Sequence, residues 1–63
     1  MRVDEARPGI RIIERHKSAT PRTIVSLEND GFGKTLVVVK NDQGRRTTIK
    51  AKNLSRYNII EEG

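Results

Sequence analysis

Arg45, Arg46, Lys50, Lys52 and Arg56 place five cations within twelve residues, with no acid among them. Guanidinium and ammonium groups grouped in this way pair with the oxygens of phosphates or carboxylates and displace the counterions these carry. On a strand, Arg46, Thr48 and Lys50 share one face, with side chains about 7 Å apart at every second residue. That repeat resembles the spacing of successive phosphates along one nucleic-acid strand, so these five are the expected nucleic-acid-binding residues. Arg11, Arg15, Lys17, Arg22, Lys34 and Lys40 either extend the row or oppose it. The formal net charge is +5, and its distribution says more than its size. Asp4, Glu5, Glu61 and Glu62 stand at the two ends, and between Ala6 and Ile60 twelve Lys and Arg face four Asp and Glu. Such a density of charge on a small surface favours approach to anions.

Other constellations fall short of a chemistry. Gly33-Lys34-Thr35 matches the end of a phosphate-binding loop, but the full motif needs glycine where Glu28 stands, and an apolar strand pattern follows instead of a helix. His16 is the single histidine and lies between Arg15 and Lys17, which suits a solvated side chain rather than a metal ligand. Ser18, Ser26 and Ser55 have no base and orienting acid to activate them, and Glu14 with Glu28 has no deep cleft to separate their pKa values. Asn53-Leu54-Ser55 matches a glycosylation sequon by coincidence. No catalytic residue, metal ligand or cofactor is therefore expected, and the chain reads as a binding module rather than an enzyme.

Aromatic residues narrow the partner. Phe32 and Tyr57 are the only two, whereas single-strand binders stack bases on several rings and proline-rich peptides need an aromatic-lined groove. Backbone contact to duplex DNA or structured RNA is the first reading. The second is docking on an acidic protein surface, or self-association as a homodimer, through an apolar patch formed by Phe32, Leu36 and Val38.

The elements that must position these residues are short. Sixty-three residues make one domain, and without cysteine neither a disulfide nor a thiolate metal site can staple it. The opening MRVDEARPG lacks the apolar run of a signal peptide, and no stretch approaches a membrane span, so a cytoplasmic protein without membrane contact is expected. Seven Ile, five Val and five Thr occur in runs broken by Gly, Pro, Asn and Asp, a pattern of short strands and tight turns. The runs predict strands over residues 9–17, 22–28, 35–40, 45–50 and 57–60. Ile12 beside Ile13 interrupts strict alternation and predicts a bulge or a doubly covered strand. Asn41-Asp42-Gln43-Gly44 marks a hairpin, and residues 51–56 suit one 3₁₀ turn pressing Leu54 into the core. Ile10, Ile12, Val25, Leu27, Val37, Val39, Ile49, Leu54 and Ile59 form the expected core. Residues 1–7 and 61–63 read as flexible ends around a single domain over residues 8–60.

Five short strands with one 3₁₀ turn before the last give an all-β layout, that of a small five-stranded Src-homology-3-like barrel. An oligonucleotide-binding barrel is the runner-up, but it needs more residues and a longer helix. The segment GRRTTIKAKNLSRYNII, Gly44 to Ile60, resembles the closing strand and turn of small barrel proteins encoded by bacteriophages of actinobacteria. The resemblance implies the same compact sheet and a place in the host cytoplasm.

Overall fold

The β-branched runs form five strands in the computed structural model, which describes residues 1–15 and 20–61. These are β1 (Arg11–Glu14), β2 (Arg22–Asn29), β3 (Thr35–Lys40), β4 (Arg46–Lys50) and β5 (Tyr57–Glu61). A 3₁₀ turn at Val3–Glu5 precedes them, and a second at Ala51–Arg56 joins β4 to β5. One antiparallel sheet results, in the order β4-β3-β2-β1-β5. The chain is all-β, as its pattern predicts, but strand pairing does not close the sheet: β4 and β5 are its two edges. The end of the first strand expected at residues 16–17, the exposed side chain expected of His16 and the Ser18-Ala19 part of the next loop lie outside the described residues, as do Glu62 and Gly63.

Alternation along β2 predicts Val25 and Leu27 inward, and the structure corrects this. Ile24 pairs with Val39 and Ser26 with Val38, so Val25 is an extra residue without an opposite number. Such a bulge resets the period-two phase of a strand. Ile24 before it is buried, Val25 is half-buried, and Leu27 after it shares the side of its partner Val37 but lies near the strand end and stays 40% exposed. The bulge anticipated around Ile12 and Ile13 falls on the facing strand. Arg11 pairs with Glu61 and Ile12 with Ile59, leaving Ile60 as the extra, exposed residue.

The core is Ala6, Ile10, Ile12, Ile24, Val37, Val39, Ile49, Leu54 and Tyr57, with Met1 and Ile59 packed against it. Leu54 is fully buried, so the short 3₁₀ turn is held by the apolar side chain it inserts rather than by its own hydrogen bonds. Ala6 is 3% exposed, and the Met1 nitrogen donates to the carbonyl oxygens of Leu54 (3.0 Å) and Tyr57 (2.7 Å). Within the segment expected as a flexible end, Met1 is thus tied to the turn and the start of β5, and Ala6 joins the core.

Candidate nucleic-acid interface

The side chains of β4 are sorted by the register of β3. Val37 and Val39 are buried, and their partners Ile49 and Thr47 share that inward side; Ile49 is buried and Thr47 is exposed. The alternate pairs, Lys40 with Arg46, Val38 with Thr48 and Leu36 with Lys50, therefore point away from the core. Arg46 and Lys50 are exposed, where the alternation predicts them. On the same outer face β2 contributes Thr23 beside Lys40, Ser26 beside Val38 and Glu28 beside Leu36.

Two loops of like construction carry further cations to the ends of β3. Asp30-Gly31-Phe32-Gly33-Lys34 joins β2 to β3, and Asn41-Asp42-Gln43-Gly44-Arg45 joins β3 to β4. In the first, Asp30 Oδ1 accepts from the N–H groups of Phe32 (2.7 Å) and Lys34 (3.2 Å), and the Asp30 N–H donates to the Lys34 carbonyl (3.0 Å). In the second, Asn41 Oδ1 accepts from Gln43 and Arg45 (2.9 Å each), and the Asn41 N–H donates to the Arg45 carbonyl (3.0 Å). Gly33 and Gly44 occupy the same place with φ of 81° and 84°, a conformation that side chains resist. Each loop ends in a cation, and because they cap opposite ends of β3, Lys34 and Arg45 lie at opposite ends of that strand.

The cations consequently divide into two groups rather than one continuous row. Lys40, Arg45 and Arg46 gather where β3 passes into β4. Lys34, Lys50 and Lys52 line a cleft of about 470 Å³ where the first loop meets the corner between β4 and the 3₁₀ turn. Arg46 and Lys50 are four residues apart along the strand, roughly 13 Å at its usual rise. Arg56 stands at the far end of the 3₁₀ turn, where its carbonyl oxygen accepts from the Arg15 N–H (2.9 Å). The sequence row includes Arg56 but leaves the places of Lys34 and Lys40 open; the repeated spacing of Asp30 to Lys34 and Asn41 to Arg45 is the signal that could have placed both loops.

Among the described residues, ion pairs join Arg2 to Asp4, and Arg11 to Asp42 and Glu61. None involves the five predicted cations, Lys34 or Lys40. Lys40 and Arg46 oppose each other directly across two strands, an arrangement that costs stability. No three of His, Cys, Asp or Glu come together to hold a metal among the described residues, and no helix there is long and apolar enough to cross a membrane. The apolar residues expected at a docking patch are also outward: Phe32 is 88% exposed, and Leu36 and Val38 are half-buried. Comparison with protein-family models, with curated proteins and with solved structures finds no match for this chain.

Proposed function

We propose that this protein is a small, non-enzymatic binding module that contacts the phosphate backbone of nucleic acid with little sequence preference. The observation that carries this reading is the outer face of β3 and β4, where Lys40, Arg46 and Lys50 stand in register without an ion-pair partner among the described residues. A like-charge pair kept across two strands is offset by an external anion, and a phosphate chain supplies anions at a regular spacing. The same reading takes the sheet as a partly open Src-homology-3-like barrel of the kind made by actinobacterial phages, its edges bridged by the 3₁₀ turn, and places it in the host cytoplasm. The strand order and the turn before β5 support that reading.

The test is a fluorescence-anisotropy titration of duplex DNA at several salt concentrations. Neutralising about four phosphates gives a slope of log K against log salt of roughly −3.6. Replacing Arg46 and Lys50 together by Ala flattens it by about two contacts, near 1.8, without loss of fold because both residues are exposed. Absence of binding to duplex, single strand or RNA at low salt would refute the reading. Protein docking then takes its place, favoured by the exposure of Phe32 and the outward side chains of Leu36 and Val38.

A further inference from the structure

The cleft at the β4 corner differs from the rest of the basic face, because Asp30, Gly33 and Lys34 on one side of it belong to a loop that carries an exposed ring, Phe32. Lys34, Lys50 and Lys52 line it together with Leu36 and Ala51. Asp30 also lines the cleft, but its Oδ1 is engaged by two N–H groups of its own loop, which partly offset its charge. Phe32 sits at the tip of that loop, 88% exposed, on a segment pinned at both ends by the hydrogen bonds of Asp30. The loop therefore presents an aromatic face to solvent two residues from Lys34. The hairpin end of the face, with Lys40 and Arg46, contains no ring.

We infer that this cleft binds single-stranded nucleic acid, with one unpaired base stacked on Phe32 and the phosphates on either side of it held by Lys34, Lys50 and Lys52. The inference rests on the nucleic-acid reading above and adds a site to it. A stacking platform beside a group of cations is how proteins hold a single strand without reading its sequence, since every base has a π face and every linkage has a phosphate. A duplex keeps its bases stacked on one another and offers nothing to the ring, so it engages only the cations. One ring also defines the size of the site. It takes a single base, and the weight of binding falls on the phosphates around it.

The experiment compares oligothymidylate with a duplex of equal length, by anisotropy at low salt, for wild type and for Phe32→Ala, Phe32→Leu, Phe32→Tyr and the double variant Lys34→Ala with Lys52→Ala. Loss of the ring weakens single-strand binding by roughly tenfold, the worth of one stacked base, and leaves duplex binding unchanged. Phe32→Leu behaves as the alanine variant despite its apolar bulk, whereas Phe32→Tyr retains the affinity. The double lysine variant flattens the single-strand salt slope by about 1.4, near 0.7 for each contact, while the ring variants leave that slope alone. Thermal melts verify folding, which an exposed ring does not govern. Single-strand affinity insensitive to Phe32 overturns the stacking site while leaving salt-dependent duplex binding, and so the broader reading, in place. Failure of both strand forms to bind overturns both.

Discussion

At the scale of single residues, Leu54 and Lys40 stand at opposite poles of what the sequence must achieve. Leu54 is fully buried and anchors a turn too short to hold itself. Leu54→Ala removes that anchor and leaves a cavity, at a cost of about 2–5 kcal/mol. In a domain this small, that unfolds a large part of the population, and a melt within a degree or two of wild type would place Leu54 outside the energetic core. Lys40 makes the contrary case, since it opposes Arg46 and weakens the sheet that carries it. Lys40→Glu converts a repulsive cross-strand pair into an attractive one, worth about 0.2–1 kcal/mol before solvent screening reduces it. Chemical denaturation is expected to show a small gain in stability, and the duplex titration a loss of affinity and a shallower salt slope. A lysine held for structure would give the opposite pairing of results: lower stability with binding intact.

At the scale of elements, the two loops flanking β3 make a paired test of backbone conformation. A Cβ added at Gly33 or Gly44 meets nothing within 4 Å, so the cost of alanine there comes from the positive φ alone, about 1–2 kcal/mol at either site. Gly33→Ala and Gly44→Ala are expected to lower stability by similar amounts, with Asn recovering part of the loss at each. Melting curves that differ sharply between the two would mean that the shared hydrogen-bond frame does not impose a shared strain. Much of this architecture is legible in the sequence: the strands of the β3–β4 hairpin, the 3₁₀ turn and the outward Arg46 and Lys50 follow from alternation and turn residues. The inward side of β2 does not, because one bulged residue at Val25 exchanges the two faces and composition does not say where a bulge falls. The gathering of Lys34 with Lys50 and Lys52 is hidden for a different reason: it arises from strand register and from a corner, and Lys34 is sixteen or more positions from the other two. The packing of Ala6 is equally non-local. Deleting residues 1–6 is expected to lower the melting temperature, which a disordered leader would leave unmoved.

At the scale of the whole molecule, the excess of positive charge acts on folding and on binding with opposite signs. Thirteen Lys and Arg stand against eight Asp and Glu in sixty-three residues, and the ion pairs among the described residues are few and solvent-exposed. Exposed pairs of this kind contribute little, whereas uncompensated cations across a small body repel one another in the folded state more than in the expanded chain. Raising sodium chloride until the Debye length falls to about 8 Å screens the longer of these repulsions. The melting temperature of the free protein is therefore expected to rise with salt over the range in which affinity for duplex DNA falls. At fixed low salt, duplex added in excess of its dissociation constant is expected to raise the melting temperature as well, because a ligand of the folded state alone stabilises it by mass action. The two stabilisations compete. As salt increases, the gain from DNA shrinks along the binding slope while the gain from screening grows, so melting curves with and without DNA converge at high salt. A melting temperature that falls with salt in the free protein would show that the few exposed ion pairs outweigh the repulsion, and would remove the electrostatic argument on which the basic face rests.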